Sequence, residues 1–283
     1  MSPTVKNGKF NIEPVGAVVY WAGKDTDRKR LKAGLRSIGL EKFLPNKRTP
    51  DSALFNALKH TVRRSITHDS LIQPLKKRST NGYEVVRVTK GEQKNEYSPQ
   101  FSARVNGETV VFDKEPSNSD NVQEMYDHYR GLITGSALGA CLVDICAHLM
   151  GTSLRPSGGI YWIPEDAVGT WDDVANAVSS AHPQGLGIDD MSCVYRLRTL
   201  LDANAANAVI DAITAEVDTQ SEEIFDGIGQ LGERALRTRE KRSKELKQKV
   251  EHYELMLGQG LDKLKKVCDM AERGAAHAVL AQL

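Results

Sequence analysis

From Asp202 to Leu283 the chain carries no proline, and its apolar residues recur every three or four positions. Val209, Ile213 and Val217 step by four, Ile224, Ile228, Leu231 and Ala235 extend the seam, and Leu246, Val250, Tyr253, Leu257, Leu261 and Leu264 repeat the spacing. That rhythm lays an apolar stripe along α-helix, and without proline no residue removes an i→i−4 hydrogen bond. One unbroken helix would be roughly 120 Å long at 1.5 Å per residue. Gly227, Gly229 and Gly232, then Gly258 and Gly260, are where helix is least favoured, so breaks are expected there. Residues 201–283 are thus expected to form two or three helices, coiled-coil-like, packed as a hairpin or across a subunit interface. The seam residues Ile213, Ile224, Ile228, Leu231, Leu257 and Leu264 are the candidate interface of a homo-oligomer.

Ahead of that tail, residues 1–14 read as a polar arm and 15–200 as an α+β domain, an antiparallel meander and short strands packed with helices. Gly16–Ala22 is a short β-branched and aromatic run, hence a buried strand. Asp25 is the expected cap of a helix bearing Leu31, Leu35 and Ile38, and Thr49-Pro50-Asp51 opens a second with Leu54, Phe55, Leu58 and Val62 on its apolar face. Residues 67–82 read as a polar, basic loop ending in the turn dipeptide Asn81-Gly82. The strongest β signal follows: runs over 83–90, 101–105 and 108–112, the last two joined by Asn106-Gly107 in an expected type I′ turn. Asp120 with Gln123 resembles a capping box opening a helix to about Met150, and Thr170 with Asp173 another opening a helix to about His182. Short strands are expected at 160–163 and 192–198, with Asp202 capping the first tail helix.

Composition decides the broad class: 40% hydrophobic and 27% charged residues suit a folded core. The most apolar stretch, Leu132 to Met150, is interrupted by Ser136, Asp144 and His148, so it reads as a buried helix and no membrane partner is expected. The opening MSPTVKNGKFNIEP lacks the apolar core of a secretory signal. The four cysteines form no CxxC pair and read as reduced thiols, which points to a cytoplasmic protein.

Net charge is +1, but it is segregated. Residues 1–114 hold 22 Lys+Arg against 11 Asp+Glu, residues 115–230 hold 4 against 18, and residues 231–283 hold 12 against 8. Such blocks either present a basic face to a polyanion or neutralise one another. Lys24, Arg28, Lys32 and Arg36 lie four apart, as one row up a helix, opposite its apolar side. Lys59, Arg63 and Arg64 lie away from the apolar face of the next helix, and Lys76, Lys77 and Arg78 follow in the loop. These ten residues are the candidate contacts to the backbone of DNA or RNA. The competing reading is a solvated face, or a dock for residues 115–230. The run Arg234 to Lys249 is interrupted by Glu240 and Glu245 and reads as a water-facing stretch laced with ion pairs, or equally as a tip or hinge where a helical hairpin reaches a partner.

Cys141, Asp144 and His148 fall at i, i+3 and i+7 of one helix, a pattern that either binds a metal or activates a thiolate. A four-ligand metal site needs partners that no spacing signals, and satisfied core groups are the plainer reading. There is no HExxH, and no GxSxG elbow. Ser157-Gly158-Gly159 precedes a strand, whereas a phosphate cradle opens a helix. No metal, cofactor or catalytic residue is therefore assigned.

Pro14-Val-Gly-Ala-Val-Val-Tyr-Trp21, Leu44-Pro45 and Leu154-Arg-Pro-Ser-Gly-Gly-Ile-Tyr-Trp-Ile-Pro164 resemble segments of uncharacterised bacterial and phage proteins of similar size, over residues 14–200. The resemblance implies a prokaryotic or phage origin and assigns no functional residue. The expectation is a non-enzymatic binding and assembly protein that meets nucleic acid through its basic N-terminal region and self-associates through its C-terminal helices. The alternatives are a protein adaptor or host-factor modulator using the acidic middle and helical tail, and an enzyme using Cys141, Asp144 and His148.

Overall fold

The computed structural model describes residues 5–6, 9–10, 15–64, 69–75, 82–89, 95–155, 159–183, 191–199, 203–257 and 260–280. Strands β1 (Val5–Lys6), β2 (Lys9–Phe10), β3 (Gly16–Ala22) and β4 (Thr26–Asp27) lead to helices α1 (Arg28–Ser37) and α2 (Pro50–Arg64). Then come β5 (Asp69–Pro74), β6 (Tyr83–Thr89), β7 (Glu96–Asn106), β8 (Thr109–Phe112) and α3 (Ser119–Gly131). The middle runs β9 (Leu132–Ile133), α4 (Gly135–His148), β10 (Thr152–Ser153), β11 (Ile160–Pro164), α5 (Glu165–Ser180) and β12 (Cys193–Thr199). Helices α6 (Ala203–Phe225), α7 (Glu233–Leu257) and α8 (Asp262–Leu280) close the chain. Every strand pair among the described residues is antiparallel, which makes this an α+β fold.

The chain divides into two compact units, one formed by Met1–Ala22, Ala140–Asn176 and Cys193–Leu283, the other by Gly23–Gly139 and Ala177–Ser192. This corrects the expected boundary near residue 200: the helical tail belongs to the same unit as β3, β11 and β12. The first unit is built on a sheet of order β10-β11-β3-β12. Side chains alternate across it. On one face Trp162 and Val18 pack into a cluster with Val209, Ile213, Val217, Leu246, Val250, Tyr253, Leu257 and Leu264 of α6, α7 and α8. On the other, Trp21 stacks on Tyr161 at 5.4 Å and tilts against Trp171 of α5 at 5.9 Å.

The tail breaks where its glycines are. Gly227 has φ of 60°, a 3-10 turn spans Ile228–Gln230, and α7 and α8 are separated at Gly260. Ion pairs Lys247–Asp269 and Lys265–Glu254 set α7 and α8 antiparallel, because position falls along one helix as it rises along the other. The seam assignment needs correction. Ile213, Ile224, Leu257 and Leu264 are buried inside the chain's own fold, and Ile228 and Leu231 are half-buried at the break between helices. An apolar stripe already covered by Trp162 and its neighbours is not left over for a second copy.

The second unit carries the meander β5-β6-β7-β8, whose inner face (Val85, Ala103, Val110) packs on Leu54, Leu58 and Val62 of α2 and on Val122 and Tyr126 of α3. β5 lies in the stretch expected to be a loop, and it pairs Leu71 with Val86 and Ile72 with Val85. The β7–β8 register pairs Asn106 with Thr109, so the two turn residues are Gly107 and Glu108, one position later than expected. Only Gly107 of the two has positive φ, at 63°, which fits a type II′ turn with glycine first.

Three helix starts also differ. Asp27, not Asp25, caps α1, accepting from the Arg30 N–H at 2.9 Å. α5 begins at Glu165 straight after Pro164, with Glu165 and Asp166 favourable in its first turn, and Thr170 is interior to it. The helix expected from Asp120 to Met150 is two helices. Leu132 and Ile133 pair as β9 with Asp27 and Thr26, and Thr134 recaps the chain by accepting from the Ala137 N–H at 3.1 Å. Gln123, free of any capping role, accepts from the Val110 N–H at 2.8 Å.

Candidate anion-binding surface

Residues 23–64 of the second unit contain 12 Lys+Arg and 4 Asp+Glu, a net of +8. The expected row of four is not a row. α1 starts only at Arg28, so Lys24 lies before it, exposed, with its backbone N–H donating to Ser192 Oγ at 2.9 Å. Arg28 turns to the backbone, its Nε donating to the Pro45 carbonyl at 3.0 Å. Lys32 and Arg36 do share a face, and between them sits Glu41 of the following 3-10 turn, at 3.2 Å and 3.0 Å. One carboxylate against two cations leaves that group positive, and Lys29, Lys42, Lys47 and Lys59 are exposed on the same segment. Arg63 and Arg64 end α2, with side chains outside the described residues, as are Lys76, Lys77 and Arg78.

Within this unit the structure brings together two arginines that the sequence reading did not single out. The Arg48 side chain is 6% exposed, donates from Nη2 to Asp25 at 2.9 Å, and lies over the Tyr129 ring at 5.4 Å. Arg130, at the last turn of α3, is 16% exposed; one terminal nitrogen donates to the Arg48 carbonyl and the other lies 3.5 Å from Glu108. Tyr126, one turn earlier on α3, is fully buried, and its phenol is pushed up by burial with the Arg130 guanidinium pulling the other way. Tyr129 reaches His60 at 3.5 Å. No local pattern marks Arg48, between Pro45 and Pro50, or Arg130 as interior residues. Their burial follows only from the docking of α2 on α3.

The first unit has a buried charge of its own. Lys249, 6% exposed, donates to both Glu216 oxygens at 2.6 and 2.8 Å and to the Gly151 carbonyl at 2.7 Å. Thr152 donates to the same carboxylate at 2.7 Å, so α6, α7 and β10 meet at one ion pair. Burial holds the Lys249 ammonium below its usual range while Glu216 opposes the shift. Elsewhere on α7, Arg237–Glu233 and Lys244–Glu240 pair at 2.7 Å along an exposed face.

The Cys141, Asp144 and His148 set does not assemble. Cys141 is buried and burial, with Asp144 adding, pushes its thiol up to about 12, the opposite of activation, while Asp144 and His148 are exposed. Among the described residues no group of three or more His, Cys, Asp or Glu is placed to hold a metal ion. No described helix is long and apolar enough to cross a membrane.

No curated protein and no solved structure matches this chain. Residues 15–282 match a protein-family model that runs well beyond the 14–200 span of the resemblance and takes in the helical tail, and the chain therefore belongs to that family, described as a family of unknown function (DUF6744).

Proposed function

We propose that this chain is a non-enzymatic binding protein that engages a nucleic-acid backbone through the basic surface of residues 23–64. The observation that carries the reading is the charge of that segment, 12 cations against 4 carboxylates, with Lys32 and Arg36 sharing the single Glu41. Clustered exposed cations gain by releasing counterions from phosphates, which supplies affinity without base reading. The test is fluorescence anisotropy with short labelled DNA and RNA, comparing the native chain with a Lys29→Ala, Lys32→Ala, Arg36→Ala variant. These three side chains are at the surface, so the variant keeps its circular dichroism spectrum and melting temperature. It loses about tenfold or more in affinity, from two to three phosphate contacts. Equal affinity of the two proteins contradicts the reading.

A protein adaptor is the second reading. It is favoured by β12, the last strand of its sheet among the described residues, where Tyr195 is 44% and Leu197 58% exposed, since exposed apolar side chains on an edge strand invite a further strand. Docking of that kind is insensitive to salt and to the triple alanine variant, but is lost in Leu197→Lys.

A further inference from the structure

We infer that Arg48, Arg130 and Tyr126 form a binding site for a phosphate-type oxyanion in the second unit. A guanidinium has five N–H groups in a fixed fork. Arg48 commits Nη2 to Asp25, and Arg130 commits its two terminal nitrogens to the Arg48 carbonyl and to Glu108. The Nε–H of Arg48 and the Nε–H of Arg130 are buried and have no hydrogen-bond partner among the described residues, and the Tyr126 hydroxyl, buried against the Arg130 guanidinium as an acceptor, still has its own O–H to donate. Buried polar groups in native proteins are paired almost without exception, and those that are not call for a specific reason, an ion among them. Here the two arginines and Tyr126 belong to one connected group: Arg130 binds the Arg48 backbone, and Tyr126 precedes Arg130 by one turn on the same helix face and lies against its guanidinium.

The group is also short of firm negative charge. Asp25 is close to Arg48, but Glu108 is 75% exposed and stands 3.5 Å from Arg130, a loose contact that a better acceptor displaces. Arginine is suited to such an acceptor, because its planar fork matches the oxygens of phosphate. Glu108 also marks where the group meets solvent and so where an anion enters. The site stands on different residues from the exposed lysines of α1 and α2 and does not require them to bind nucleic acid.

The experiment follows the arginine Nε–H resonances of the full chain, labelled with nitrogen-15, during titration with inorganic phosphate. Chloride at matched ionic strength is the control. Arg48→Lys and Arg130→Lys variants assign the two signals. The expected result is that both signals shift saturably with phosphate and not with chloride, and that Arg130→Lys weakens phosphate binding about tenfold. Signals that ignore phosphate, or that respond equally to chloride, overturn the site and leave bound water as the partner of these donors. The native titration decides the matter even if Arg48→Lys fails to fold. A second arm uses a short single-stranded DNA: shifts of the same two signals assign the oxyanion to a nucleic-acid backbone. Shifts with inorganic phosphate alone assign it to a small free anion. Either outcome of that arm upholds the site, and loss of DNA binding elsewhere on the protein does not touch it.

Discussion

Lys249 illustrates how one side chain decides the packing around it. An ammonium taken out of water is costly, and here the cost is offset by a carboxylate with both oxygens in reach and by a backbone carbonyl. Lys249→Met leaves Glu216 without its counter-charge and should destabilise the fold by about 3 kcal/mol. The double variant Lys249→Met, Glu216→Leu should recover a large part of that loss in urea unfolding, and a loss equal to the sum of the two single-variant losses would show that the pair is not coupled. The thiols make a second prediction. Burial pushes Cys146 far up, Cys141 to about 12 and Cys268 to about 11, from an ordinary 9.0. Above pH 9 the unfolded chain releases these protons while the folded chain keeps them, so the stability present below pH 9 is lost as pH rises. Lys249, held low, works in the opposite direction over the same range but is one group against three. The melting temperature should therefore fall between pH 8.5 and 10.5 by this account. Cys146→Ala should flatten the fall, and an identical slope in the variant would contradict the assignment.

Among the elements, the β7–β8 hairpin gives the cleanest test. A Cβ at Gly107 meets no atom within 4 Å, so its requirement is the positive φ alone. Gly107→Val should cost about 1 to 2 kcal/mol through the backbone with no clash, whereas Gly107→Asn, a residue that tolerates this region, should cost clearly less in thermal unfolding. Elements with local signals were legible in the sequence: β3 from its β-branched run between Pro14 and Gly23, α2 from Pro50 in its first turn, β6 to β8 from strand-like runs with a turn at Asn106-Gly107, and the tail breaks from glycine. Elements defined by a distant partner were not. Leu132 and Ile133 are as apolar as the helix that follows them, and only pairing with Thr26 and Asp27 makes them β9. β5 reads as loop because Asp69, Gln73 and Pro74 surround its two apolar residues, and pairing with β6 makes it a strand. The candidate site divides in the same way. The surplus of Lys and Arg before residue 64 is visible in composition, but the seat of Arg48 and Arg130 depends on how α2 meets α3.

On the scale of the whole molecule, the tail is part of a core and not an appendage. α6, α7 and α8 cover Trp162 and Val18 of the sheet in their own unit. A chain ending near residue 202 should therefore lose the near-ultraviolet signature of its packed tryptophans and become sensitive to protease, while a native-like spectrum would mean that the sheet is stable without the helices. The charge pattern operates at this scale too. Three acidic residues of the first unit have cations nearby in the same unit, Glu165 with Arg198, Asp172 with Arg196 and Glu216 with Lys249. Among the described residues Lys32 and Arg36 have Glu41 alone between them. The surplus positive charge of residues 23–64 is thus the feature on which the proposed function stands. Its most direct test is the affinity of the full chain for duplex DNA over a range of salt concentrations. Neutralising four or more phosphates predicts that log affinity falls against log salt with a slope steeper than about −3, at roughly 0.9 per phosphate. A slope near zero, or no binding at low salt, would contradict the account.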